Sequence, residues 1–333
     1  MSRITIRDIA KLLNVSPSTV SRALKDHPDI GKATKEKINQ VAKELGYQPN
    51  YQAIHFRQRK SGIIGLILPE MGRFFAPDMV KAIEEITKKK GYNFIIFQSN
   101  DLLEKEKQCV ALCQNFGIDG LLVSVSRETK TIDHFNALTQ NGIPVVFVDR
   151  VVQQVDNATV TINDFDAAFN AVNHLAKKNY QYIAGVFGSE NLMITQQRKA
   201  GFKSALEKHN LSFISKFCFH ANSVEKTKAM FYQILNQAKK PDAVFSMSDK
   251  LLTAIIQVIY EEGLRIPQDI AVISISNGDI PYYFNPKITF IKHAGYHVGQ
   301  TGANLLVDLI KHPTMIIETQ LELETYLVEL DSC

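Results

Sequence analysis

The apolar positions of this chain follow two regimes. Over the first fifty residues they recur at helical spacing: Ile9, Ala10, Leu12 and Leu13, then Val20, Ala23 and Leu24, then Ile38, Val41, Ala42 and Leu45. Each set predicts the inward face of a short helix. The polar punctuation agrees. Thr5 and Asp8 stand at capping-box spacing, and Asn14-Val15 breaks the first helix. Ser16 can cap the second helix, and Pro17 suits its first position because that N–H has no intrahelical partner. Gly31 starts the third helix and Gly46 suits its end. From residue 62 short β-rich runs alternate with amphipathic stretches. Ile63–Leu68, Phe94–Phe97, Leu121–Val125 and Val145–Val148 read as buried strands, with helices over 76–90, 103–116 and 130–141. A second series follows: helix 164–178, strand Tyr182–Phe187, helix 194–209, strand Phe217–Phe219, helix 223–239, strand Ala243–Phe245, helix 248–262 and strand Ile270–Ile275. Ile288–Ile291 and helix 296–311 come next, with short strands after them. Strands that alternate with helices predict parallel sheets with right-handed crossovers. Two such sheets in tandem predict an α/β core of two lobes, with a cleft at the carboxyl ends of the strands.

The second helix of the head leaves Ser18, Thr19, Ser21 and Arg22 facing out. Two short helices joined by a tight turn describe a helix-turn-helix, whose second helix enters the major groove. Arg22 can fork onto guanine, while Ser and Thr hydroxyls serve phosphates. A three-helix interaction module fits the helix pattern equally well. Charge favours DNA: residues 1–60 hold 12 Lys+Arg against 5 Asp+Glu, a net of +7, while the rest of the chain is at −3.

Composition narrows the remaining classes. Apolar residues make up 45% and charged residues 22% of 333, an ordinary globular mixture sized for two or three domains. No apolar run is long enough for a spanning helix, and Met1 to Lys11 lack the apolar stretch of a secretory signal. Cys109, Cys113, Cys218 and Cys333 form no CxxC and no disulfide-like framework, so a cytoplasmic location is expected. Neither a metal nor a cofactor is expected. His293 and His297 have helical spacing but no identifiable third ligand, and no P-loop or post-strand GxGxxG occurs. An enzyme reading therefore lacks its markers. A transport-type binding protein would fit the core, but the basic head and missing signal segment argue against it.

The head then becomes specific. Val15-Ser16-Pro17-Ser18-Thr19-Val20-Ser21-Arg22 resembles the V-S-x-x-T-V-S-R signature of the lactose-repressor (LacI/GalR) family. Thr5-Ile6-Arg7-Asp8-Ile9-Ala10 is similar to that family's opening, and Leu45-Gly46-Tyr47-Gln48-Pro49-Asn50 to its exit into the hinge. The resemblance implies a helix-turn-helix domain over 1–49 and a hinge helix over 50–61. It implies that Pro17, Ser18 and Arg22 read the operator, and that Thr5, Ser16, Thr19, Ser21 and Thr34 contact phosphates. Asn50, Ala53 and Phe56 would be hinge contacts, with Phe56 standing where the family wedges a leucine into the minor groove; Phe is among the side chains that unstack base steps.

The same resemblance implies a periplasmic-binding-protein-like core crossed three times by the chain, near residues 160, 290 and 322. Residues 62–160 and 291–322 would form the lobe near DNA, and 161–290 with 323–333 the distal lobe. Candidate effector contacts follow the strands. Phe74 and Phe75 look like the family's paired aromatics, and Asp149 ends the strand Val145–Val148. Arg198 leads Arg198-Lys199-Ala200-Gly201-Phe202, similar to the family's R-x-x-G-[FY]; Ser248, Asp249, Ser276, Asn277 and His293 complete the set. An acid, an arginine, amides and rings suit a small polar effector, a sugar or sugar phosphate. Each has a plainer reading: Asp149 paired with Arg150, Arg198 in a structural salt bridge, Phe74 and Phe75 in the core. The chain departs from the family's Asn-Asp at Ser248-Asp249, from its Gly-[FY]-Asp at Ser274-Ile275-Ser276, and from its Gln at His293, which leaves the effector's identity open. The expected assembly is a homodimer on a pseudo-palindromic double-stranded operator, with a repressor's outcome set allosterically by the effector.

Overall fold

The computed structural model describes residues 4–24, 26–47, 60–72, 75–153, 156–313 and 320–333. Two compact units divide at Ser61/Gly62. The first is all-α: α1 (Ile6–Leu13), α2 (Pro17–Leu24) and α3 (Lys32–Glu44). Ile9, Ala10, Val20, Ala23, Ile38 and Ala42 close its core. The caps are as the sequence requires. Thr5 Oγ1 accepts from Asp8 N–H while Asp8 Oδ2 accepts from Thr5 N–H at 2.8 Å, and Ser16 Oγ accepts from Thr19 N–H at 3.0 Å. Two expected inward positions differ. Leu12 is 64% exposed and Leu45 stands at the third helix's exposed end, because three short helices enclose only a narrow core.

The second unit holds two six-stranded sheets. In the first lie β1 (Ile63–Leu68), β2 (Asn93–Gln98), β3 (Gly120–Val123), β4 (Val145–Val148), β5 (Ala158–Ile162) and β11 (Gln320–Leu323), all parallel, in the order β2-β1-β3-β4-β5-β11. The second contains β6 (Ile183–Phe187), β7 (Cys218–His220), β8 (Ala243–Ser246), β9 (Ala271–Ser276), β10 (Thr289–Lys292) and β12 (Tyr326–Val328), in the order β7-β6-β8-β9-β10-β12, with β12 antiparallel to β10. The central strands β1, β3, β4, β6 and β8 are continuous buried apolar runs because helices cover both faces. Those helices are α4 (Ala76–Lys89), α5 (Leu103–Phe116), α6 (Asn136–Gln140), α7 (Asp164–Lys177), α8 (Met193–Lys208), α9 (Val224–Leu235), α10 (Asp249–Glu261) and α11 (Gly295–Lys311).

Some elements differ from their expectation. The helix expected over 130–141 is a 3-10 turn at Asp133–Phe135 followed by the short α6, and α9 stops at Leu235. Strand β5 was not anticipated: its Thr159 and Thr161 interrupt the apolar run, so only alternate residues are fully buried. The chain passes between sheets after Ile162, after Lys292 and between Leu323 and Tyr326. Ile291 accordingly pairs within the second sheet, opposite Ile275 and Leu327.

Two glycines set close helix approaches. A Cβ on Gly201 of α8 would stand 2.1 Å from the Phe165 carbonyl oxygen of α7, and one on Gly299 of α11 would stand 2.4 Å from that of Met79 in α4. These contacts seat α8 on the second lobe and α11 on the first.

Candidate functional site

In both sheets the strand order reverses once, between β1 and β3 and between β6 and β8. Neighbouring connections leave such a switch point in opposite directions, so a crevice opens there at the carboxyl ends of the strands. One cavity of about 430 Å³ receives both crevices. It is lined by Ser124 after β3, Asp149 after β4, Gly188 after β6, Met247 after β8 and Asn277 after β9. Phe75, Asp149, Arg198, Ser248, Asp249, Ser276, Asn277 and His293, eight of the nine expected effector contacts, all line it. Phe74 lies outside the described residues.

Arg198 makes the structural salt bridge of its plainer reading and also lines the cavity. Its Nε donates to Asp164 Oδ1 at 2.8 Å and its NH1 to the Met247 carbonyl at 2.6 Å, with the side chain buried. Asp164 starts α7 and Gly201 lets α8 lie against it, so the two helices aim the guanidinium. Its NH2 also lies 2.7 Å from that Asp164 oxygen. Phe202 fills the core behind, at 0% exposure.

Asp249 opens α10 from the opposite side. Its Oδ2 accepts from Asn277 N–H at 3.4 Å and Ser276 donates to the same carboxylate, but buried Oδ1 has no hydrogen-bond partner. Burial pushes this carboxyl up to about 6, against the Ser276 and Asn277 hydrogen bonds and the Arg198 charge. Ser248 precedes the helix with no capping hydrogen bond from its side chain.

Asp149 does not pair with its neighbour. Its backbone takes a left-handed turn, φ 62°, that carries the carboxylate toward Ser124 Oγ at 3.3 Å and His293 Nε2 at 3.7 Å. Arg150 instead reaches buried Asp101 at 2.8 Å. Burial and the Arg198 charge push His293 down to about 3, so its ring is a neutral imidazole. Phe75 meets that ring edge-on, 4.2 Å between centroids. His297 is exposed on α11, apart from the buried His293, and no cluster of three metal-ligating side chains occurs among the described residues.

Arg127 and Lys250 also line the cavity and were not expected there. Arg127 follows β3, where the post-strand rule would have found it; Asp101 and Glu106 anchor its loop by accepting from the N–H groups of Arg127 and Ser126.

The head's candidate contacts collect at helix starts. Thr5, Ser16 and Thr34 lie at or beside the first turns of α1, α2 and α3, where unpaired N–H groups favour anions. Ser16, Pro17, Ser18 and Arg22 are exposed, and Thr19 and Ser21 half-buried. Arg22 NH1 lies 3.8 Å from Asp29, a solvent-screened pair that DNA can displace. Asn50, Ala53 and Phe56 lie outside the described residues.

Residues 5–50 match the family model "Bacterial regulatory proteins, lacI family", and residues 172–333 match "Periplasmic binding protein-like domain". The chain is 31% identical over 332 residues to a Bacillus subtilis protein described as "Probable HTH-type transcriptional repressor ExuR", covering 98% of this chain and 97% of that one. The chain belongs to the lacI family of bacterial regulatory proteins. Its fold is that of the chain in the structure of the lac repressor dimer bound to operator and the anti-inducer ONPF, with a TM-score of 0.87 at 23% identity over 99% of each chain. A LacI family regulator from Enterococcus faecium with bound ribose is 26% identical, covers 81% of this chain and 98% of its own, and gives a TM-score of 0.73. This lacI-family chain is a DNA-binding transcriptional regulator with effector binding in its core. No described helix is long and apolar enough to cross a membrane.

Proposed function

We propose that this regulator is a cytoplasmic homodimeric repressor of a carbohydrate-related operon and has no enzymatic activity. Its effector is a small polar molecule, a sugar or sugar phosphate, held in the cleft between the lobes. The observation that carries the effector reading is one cavity lined by both Arg198, a buried guanidinium, and Asp249, a buried carboxylate with one oxygen that lacks a donor. Such a pair takes a ligand bearing both acceptor and donor groups, as hydroxyls do. Phe75 and His293 supply an aromatic wall.

On the DNA side, Arg22, Ser18 and Pro17 read bases, and Thr5, Ser16, Thr19, Ser21 and Thr34 hold phosphates. Asn50, Ala53 and Phe56 add hinge contacts. Two-fold symmetry of the protein calls for a pseudo-palindromic site. The effector acts through its differential affinity for two settings of the lobes, which the 50–61 segment passes to the head.

Selection of genomic DNA fragments by the full-length protein at moderate salt, with and without ribose or ribose 5-phosphate, tests this reading. The expected result is one pseudo-palindrome beside carbohydrate genes, with recovery changed by one of the two ligands. Fragments without a shared motif would refute the DNA reading.

A further inference from the structure

Asn277 was expected among the effector contacts, but its polar groups serve the protein. Its backbone N–H donates to Asp249 Oδ2, its Oδ1 accepts from Gly295 N–H at 2.9 Å, and its Nδ2 donates to Asp78 Oδ2. Asp249 and Asn277 belong to the second lobe; Asp78 lies in the first turn of α4, and Gly295 starts α11, in the first. Gly295 leaves the room this needs, since a Cβ there would stand 2.8 Å from Phe75 and 3.0 Å from Asn277 Oδ1. The other cross-cleft side-chain hydrogen bond we find among the described residues joins exposed Gln153 and Gln196 at 3.2 Å.

We infer that Asn277 is the tie that sets one lobe against the other, a positioning residue through which the cleft controls operator affinity rather than a contact that reads the effector. The control half of this inference rests on the DNA-regulator reading. A continuous chain of contacts supports it. The carboxylate of Asp249, a residue of the cavity wall, carries Asn277 on its Oδ2, and Asn277 holds the starts of α4 and α11. Those two helices pack on each other through Gly299, so they answer as one body. A ligand that displaces the Asp249 carboxylate thereby changes the anchorage of the tie without touching it.

Hydrogen exchange read by mass spectrometry on the full chain, with no effector added, tests the tie. Asn277→Ala should speed exchange at the Gly295 amide about tenfold or more, the scale of losing a hydrogen bond in a charge-assisted set. Asp78→Ala should do the same in part, and the double variant should add little. The exchanged pair, Asp78→Asn with Asn277→Asp, retains one carboxylate and one amide, so protection should return. Unchanged exchange in Asn277→Ala, or no rescue by the exchanged pair, overturns the tie. Operator affinity, measured by anisotropy on a duplex recovered from genomic selection, should shift fivefold or more in Asn277→Ala and return in the exchanged pair. A shift below twofold alongside faster exchange overturns the control role. Recovery of no duplex would count against the DNA-regulator reading, and exchange would still decide the tie.

Discussion

Asp249→Asn should stabilise the protein at alkaline pH, and the structure sets the size. Asp249 is 7% exposed and one of its carboxylate oxygens lacks a partner. Burial raises its pKa from 3.8 to about 6. At about 1.4 kcal/mol per pKa unit, keeping this group ionised costs the folded state about 3 kcal/mol. The sign follows from linkage. Below pH 4 the carboxyl is neutral in folded and unfolded chains, so no cost arises. As pH rises through 6 the folded chain must give up a proton that it holds more tightly, and the cost becomes complete. Asparagine removes the charge and keeps an acceptor for Asn277 N–H and Ser276 Oγ, while its own NH2 faces the site of the unpartnered oxygen. A neutral unpaired donor costs about 1–2 kcal/mol, so the net gain is about 1–2 kcal/mol. Urea midpoints followed by far-UV circular dichroism at pH 8, 7, 6 and 5 check it. The variant should lead at pH 8 and lose its lead through pH 6. A variant less stable at pH 8, or a lead that grows on acidification, would refute the reasoning. The same substitution should weaken effector binding, since the charged acceptor is gone.

Gly201→Ala should destabilise the second lobe by about 1–3 kcal/mol or more, because the added Cβ meets the Phe165 carbonyl 2.1 Å away in a helix crossing that cannot open cheaply; thermal unfolding of the full chain reads it. Ser16→Ala should cost the head about 1 kcal/mol through the lost cap on Thr19 N–H, visible as faster amide exchange in α2. Arg22→Ala should cost about 1–3 kcal/mol of operator discrimination while nonspecific DNA binding persists, measured by competition binding. Operator affinity should fall steeply with salt, and a flat salt dependence would count against the role of the head's +7 charge.

The head was the most legible part of the chain. Its caps and helix faces depend on residues three or four apart, and Thr5, Asp8, Ser16, Val20 and Ile38 stand in the roles their spacing implies. The strands of the core were legible for a related reason: Ile63–Leu68 and Val145–Val148 are buried on both faces, and their composition says so within a few residues. β5 escaped because alternate threonines broke the apolar run on which that reading depended. Family motifs and positions just after strands brought together Asp149, Arg198, Asp249 and Asn277, although Arg127, after β3, was passed over.

Partnership was decided only in three dimensions. Arg198 finds Asp164 across a helix crossing, Arg150 passes over Asp149 to reach Asp101, and Asn277 joins two lobes from the cavity wall. Spacing along the chain states which face a residue occupies in its own element. It carries no information on what the opposite element presents, because that depends on how sheets, crossovers and helix pairs stack. The sequence by itself therefore determined local elements, their alternation and the chemistry available at their ends; the tertiary structure decided which of those groups are spent on each other and which, like the lone oxygen of Asp249, are left without a partner.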